Sequence, residues 1–554
     1  MFRALQSAQS IADTAEFPER FTFTRPVPFQ RAAGAFVAVY VLCLLPLLMA
    51  QNPPLHDYQF HIARIDILAH WHDPSALRSY YDLGSFLIPN VGMDVIAVLL
   101  AKLMPVETAG IVFIGLTLAL QLSGCMALYR SIYGHYGLWP LVAGLFLFNW
   151  IFLFGFLNYL FGVGLLLWAT AIWISLSRSA VWPRILWGSA FSVALFFSHV
   201  VAVGLFAVIV AGYELQRAAA IFRGTPALAV RNVLVGALIF VLPICLFFAS
   251  TTAAEGDGKT SHSITNLLRT PAIFFRVLLS GNWTIDIVTV AVTAACLAIL
   301  VLRGRLIVAR PMYLAITLLM MTFLVMPHEL FGGWGADTRI PVVIVFVLIA
   351  STRPILRNMA WERTILAILV GGLIFQSAVL SYDWHGYDRV YRNFRTAFTR
   401  LPANSVLFVA SETPLPSLQD IDLWLWHPPL VHVATLAVLD SQAFVPQLWA
   451  QPGQQPIRVA DRYAALYAYQ NKGPIEVATA QALNAAAERM RELLADVEFA
   501  GPAYLLLINP QRLNLPLPKN APVIASGPQF IMMELERHPL PDDRSRPNLG
   551  RTSP

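Results

Sequence analysis

The segment "NPPLHDYQFHIARIDIL" (52–68) puts a carboxylate, two histidines and an arginine directly after Ala33–Ala50, a stretch with no charge. In a helix, Asp57, His61 and Arg64 fall at i, i+4 and i+7 on one face, and Tyr58, Ile62 and Ile65 form an adjacent apolar stripe. Lying in a membrane interface, such a helix would press its stripe into lipid or protein and turn the polar face to a shared cavity. A carboxylate held there beside cations suits a general base for a bound hydroxyl. The arginine and the histidines, His56 and His61, suit a phosphate or pyrophosphate, because charge-assisted hydrogen bonds to such oxygens are the strong kind. A plain amphipathic surface helix carries the same spacing, so spacing alone leaves both readings open.

Further polar residues stand out against apolar surroundings. Asp94 in "IPNVGMDVIAVLL" sits about two turns into an expected span, where an ionisable group is costly and marks either a site or the interface. His199 in "FFSHVVAVG" lies between two apolar runs, as a core histidine or a pocket histidine. Asn158 and Tyr159 would line a chain break near "FGFLNYLFG" (154–162). The stretch "MPHELFGGWGADTRI" (326–340) gathers His328, Glu329, Trp334, Asp337 and Arg339 with three glycines, which let backbone approach a ligand closely. His328 and Arg339 are candidate phosphate partners. Asp66 and Asp94 rival Asp57 as the base.

The elements that must position these residues are membrane helices. Of 554 residues 57% are hydrophobic and 13% charged, against about 25% charged in a soluble domain. Repeated apolar stretches of roughly 17–22 residues match a hydrocarbon core about 30 Å thick. The expected fold class is a polytopic α-helical membrane protein with about 12 transmembrane helices, over 32–381, behind a cytoplasmic segment 1–31. The first external loop spans 51–87. Basic connections at 303–305 and 351–363 belong inside, and the 251–283 loop, 328–339 and everything after about 382 outside. Simple alternation would put the basic stretches between 130 and 184 outside, and a broken helix near 154–162 would relieve that conflict.

From 382 to 540 the composition changes. "SVLFVAS" (405–411), "AYLLLI" (503–508) and "FIMMEL" (530–535) read as strands and 477–497 as an amphipathic helix, giving an extracytoplasmic α/β domain before a disordered tail, 541–554. "DLWLWHPPLVH" (422–432) would pack sugar faces or dock this domain on the membrane part, and docking is preferred. The net charge of +6 records topology, with no nucleic acid implied. Four cysteines in apolar runs have no metal spacing. Without a P-loop, GxGxxG, HExxH or a paired acid beside Asp57, neither a soluble-type nucleotide-sugar enzyme nor a bound metal is implied.

The layout, with "LHDYQFHIARIDIL", "IPNVGMD", "GFLNYLFGVGL" and "FGGWGADTRIP", resembles the GT-C superfamily of integral-membrane glycosyltransferases. That resemblance implies a sugar taken from a polyprenyl-phosphate carrier on the periplasmic face of the bacterial inner membrane and passed to a glycan or lipid acceptor. It implies inversion at the anomeric carbon, Asp57 as the catalytic base, and no cofactor beyond the lipid-linked donor. Many relatives carry two adjacent acids where this chain has His56 and Asp57. An O-antigen-ligase-like or polymerase-like enzyme, centred on the late loop, is the alternative. A lipid or glycan transporter is a further one, against which stands the lack of internal repeats.

Overall fold

The computed structural model describes residues 26–255, 271–330, 333–356, 358–412, 430–510, 516–518 and 521–535. Among them, eight helices are long and apolar enough to cross a membrane, from Phe29–Leu48 to Met359–Phe398, and Gly92–Ala101 and Arg310–Val325 are shorter apolar helices. The expected polytopic helical part with a C-terminal α/β unit is therefore what the chain folds into.

Several expected spans are interrupted. The apolar run at 138–154 is a 3-10 segment, Trp139–Phe146, followed by one short helix, Trp150–Phe154. Asn149 caps that helix by accepting from the Phe152 N–H, and Gly155 ends it in the left-handed conformation at φ 85°. The next helix, Leu157–Ser175, starts after Phe156. The chain thus breaks at Gly155 and Phe156, inside the 154–162 stretch where a broken helix was considered.

Met359–Phe398 runs on through residue 382, where a polar domain was expected to begin. Its second half is polar in composition but amphipathic in order, burying Trp384, Asp388, Tyr391, Phe394 and Phe398 on one side. The two basic connections expected on the same side do lie together, as paired antiparallel strands Gly304–Val308 and Thr352–Leu356.

The C-terminal unit holds a mixed sheet in the order Val523–Gly527, Phe530–Glu534, Ala503–Ile508, Val406–Ser411, Ile475–Glu476. Two of its three inner strands, Ala503–Ile508 and Val406–Ser411, pair in parallel and are buried throughout, as near-continuous apolar runs require. The helix Ala480–Asp496, capped by Thr479, buries Leu483, Ala487, Met490 and Leu494. Of 413–429, which contain most of the aromatic stretch 422–432, and of the tail from 536, nothing is described.

This unit is stitched to the 51–87 segment. Tyr81–Leu83 pairs antiparallel with Ile457–Val459. The helix Tyr58–Ala69 is sandwiched, with Tyr58, Ile62 and Ile65 packing into the membrane-helix core and Phe60, Ala63 and Ile67 into the core of the C-terminal unit. Its apolar stripe meets protein, which leaves His61 and Arg64 to a third face.

Candidate functional site

The backbone at 56–57 is held by the chain break. The His56 N–H donates to the Leu153 carbonyl at 2.8 Å and the Asp57 N–H to that of Phe154 at 3.1 Å. Gly155 passes so close that a Cβ there would stand 2.9 Å from the Asp57 nitrogen and 3.2 Å from its Cβ. Its positive φ and this approach both call for glycine. Two segments far apart in sequence thereby fix the direction in which Asp57 leaves the backbone.

Around the carboxylate stand groups from three parts of the chain, at 56–64, 339 and 432. His56 Nε2 is 3.9 Å and His432 Nε2 3.6 Å from Asp57 Oδ1. Burial pushes the Asp57 carboxyl up to about 7, against the pull of the Arg339 and then the Arg64 charge. Burial likewise lowers His56 to about 4 and His432 well below the ordinary histidine range, so both rings are neutral near pH 7. The result is a carboxylate that titrates near neutrality with two cations within electrostatic reach.

Arg64 is built into the wall. Its Nε donates to Asp94 Oδ1 at 2.6 Å, both side chains being fully buried. Its Nη2 donates to His61 Nδ1 at 2.8 Å, so the His61 proton sits on Nε2, 3.2 Å from the Gly155 carbonyl. Burial, with the Arg64 charge, lowers His61 to about 3 and keeps it neutral. Asn158 accepts from the Met93 N–H at 2.5 Å and donates to the Asn90 carbonyl at 2.9 Å, capping Gly92–Ala101. Asp94, His61 and Asn158 hold the scaffold around Asp57.

Arg339, expected on the 328–339 loop, stands instead in the first turn of the helix Ala336–Ser351. Its Nη1 donates to the Trp334 carbonyl at 2.8 Å and its guanidinium lies 4.3 Å over the Phe156 ring. Trp334 in turn stacks on Phe154 at 5.2 Å. His328 pairs with Asp337 at 2.8 Å and meets the Trp334 ring edge-on. His199 caps the helix Val200–Ile221, its Nδ1 accepting from the Val201 N–H at 3.2 Å, and packs edge-on against Tyr159. Tyr159 donates to the Arg339 carbonyl at 2.7 Å. Arg339 thus reaches the Asp57 environment, while His328 and His199 support the loop and the helix beside it.

Beside Asp57, the guanidinium nitrogens Arg64 Nη1 and Arg339 Nε are buried without a hydrogen-bond partner among the described residues. A buried cationic donor left unmatched is costly, and an anion is its natural complement. The ligand atoms of His56, Asp57 and His432 also lie within 4.8 Å of one another, a donor set that a divalent transition metal accepts. His432 escaped sequence reasoning as a site residue. It ends the aromatic stretch 422–432, and only the fold brings it to Asp57.

No protein-family profile matches the chain, and no curated protein matches it in sequence. Among solved structures, ArnT from Cupriavidus metallidurans bound to undecaprenyl phosphate is similar with TM-score 0.47 and 11% identity, over 92% of this chain and 100% of that one. The apo form of the same enzyme gives TM-score 0.46 and 13% identity, over 92% and 99%. At TM-scores under 0.5 these likenesses leave the chemistry of the site to be read from its own geometry.

Proposed function

We propose that the chain is a GT-C glycosyltransferase that moves a sugar from a polyprenyl-phosphate carrier to a hydroxyl acceptor, with Asp57 as general base. The observation that carries this reading is a near-neutral carboxylate flanked by two buried guanidinium groups with unmatched donors, next to a membrane interior. A carboxylate titrating near pH 7 is matched to accepting a proton from a hydroxyl. Unmatched arginine donors are matched to a phosphate, and apolar helices to a polyprenyl tail.

In the proposed step the acceptor oxygen attacks the anomeric carbon as its proton passes to the Asp57 carboxylate. The bond from that carbon to the phosphate oxygen breaks, the electron pair leaves with the phosphate, and Arg339 takes up the growing charge. A single direct displacement inverts the anomeric centre. The C-terminal unit and the first loop lie on the periplasmic face of the inner membrane in this reading, following the basic connections on the opposite side. The late loop converges on Asp57 through Arg339, which favours one centre over a separate ligase-like site at His328.

The test is turnover of undecaprenyl-phosphate-linked hexoses and pentoses, with membrane lipid and glycan extracts as acceptors, by the purified protein and by Asp57→Asn. Release of undecaprenyl phosphate by the wild type and its loss in the well-folded variant are expected. Full turnover in Asp57→Asn would remove Asp57 as the base.

A further inference from the structure

Resting on that reading of Asp57, we infer that His432 is a positioning residue, its Nε2–H directed at one Asp57 oxygen, so that the C-terminal unit completes the catalytic centre. The tautomer follows from hydrogen bonding. Gln447 Nε2 donates to the Val431 carbonyl at 2.5 Å, which fixes the amide, since its oxygen in that place would face another oxygen. The same Nε2 lies 3.3 Å from His432 Nδ1. An amide nitrogen only donates, so Nδ1 accepts and the neutral ring carries its proton on Nε2. Nε2 is the atom 3.6 Å from Asp57 Oδ1. That is just beyond hydrogen-bond length, and catalytic contacts of this kind tighten in the substrate complex.

The ring is held in place for this task. Phe60 stacks on it at 3.7 Å and His56 meets it edge-on at 4.7 Å. The His432 carbonyl accepts from the Thr435 N–H at 3.1 Å and from the Thr435 hydroxyl at 2.7 Å. Once the contact tightens onto Oδ1, Oδ2 is left for the acceptor hydroxyl. The metal alternative needs the opposite tautomer, with a lone pair on Nε2 and Nδ1–H donating to an acceptor, and Gln447 presents a donor there. The donor arrangement is therefore the one the geometry favours.

The charged and titratable groups that face Asp57 are His56, His432, Arg339 and Arg64. Losing one N–H donor from this set disfavours the ionised carboxylate. The experiment follows modification of Asp57 by a hydrophobic carbodiimide, which takes the protonated form, by peptide mass spectrometry across pH on the full-length protein. Asp57→Asn identifies the peptide. His432→Phe keeps the stack on Phe60 without the N–H, and its modification midpoint should rise by about one pH unit. His432→Gln, which restores an N–H, should return it towards the wild type. A midpoint unmoved in His432→Phe overturns the proposal. So does protection of Asp57 by micromolar zinc in the wild type but not in His432→Phe, which would assign the three groups to a metal. Absence of sugar transfer by the wild type beside a shifted midpoint would remove the glycosyltransferase reading and leave the pairing standing.

Discussion

A base that takes a proton from a hydroxyl near neutral pH must itself be ionised there, and Asp57 sits at the edge of that condition. Its carboxyl is pushed up to about 7, so it is protonated below that pH and charged above it. Transfer measured as kcat/KM should therefore fall about tenfold per pH unit on the acid side of roughly pH 7. Asp57→Asn should lower it by about 10²-fold or more, without the acid limb. Arg64 invites a double test. Arg64→Met leaves Asp94 buried and unpaired at a cost of roughly 3–5 kcal/mol, which thermal unfolding would register, and Arg64→Met/Asp94→Leu should recover most of that loss. Because the Arg64 charge lowers the Asp57 carboxyl, the acid limb of the recovered double variant should move to higher pH. At this scale spacing made Asp57, His61 and Arg64 visible on one face, but not their division of labour. That Arg64 spends itself on Asp94 and His61 depends on a helix thirty residues on, at a distance no pattern encodes.

Elements set the geometry that those residues exploit. Gly155 binds the chain break to the backbone of Asp57, and Gly155→Ala should cost roughly 1–3 kcal/mol and displace the carboxylate. Gly134 is the control. It too has a positive φ, 79°, but a Cβ there meets nothing within 4 Å. Gly134→Ala should lose comparable stability and keep its transfer rate, and equal loss of transfer in both variants would deny Gly155 its special place. The break was legible only through the placement of the basic stretches between 130 and 184, which a broken helix near 154–162 relieves. The persistence of Met359–Phe398 past the membrane was not, because its polar second half is amphipathic against a domain that composition alone cannot place. Three of the five described strands of that domain's sheet were legible. The two that pair in parallel read as apolar runs because both their faces are buried, whereas Ile475–Glu476 and Val523–Gly527 are too short or too polar to stand out.

In the whole molecule the C-terminal unit and the membrane-helix part meet at the site. Arg395, on the long helix, reaches Asp440 of the C-terminal unit at 2.6 Å and Glu107 of a membrane helix at 2.9 Å. Arg395→Ala leaves two mostly buried carboxylates facing each other, and should cost roughly 2–3 kcal/mol. Faster hydrogen exchange over Ala437–Ser441 is the expected readout. Such loosening should also weaken the hold of His432 on Asp57. Sequence composition distinguished a membrane-helix part from a C-terminal α/β unit, though the helix Met359–Phe398 crosses the expected boundary at 382. It could not show that the first loop belongs to both, because that depends on Tyr81–Leu83 pairing with Ile457–Val459 across the chain. The most direct measurement is a cryo-electron microscopy structure of the protein in nanodiscs with undecaprenyl phosphate. The phosphate is expected against Arg339, within hydrogen-bond reach of its Nε and beside Asp57, with the tail running between the membrane helices. A phosphate bound at His328 with Asp57 remote, or on the side of the paired basic strands, would contradict the account.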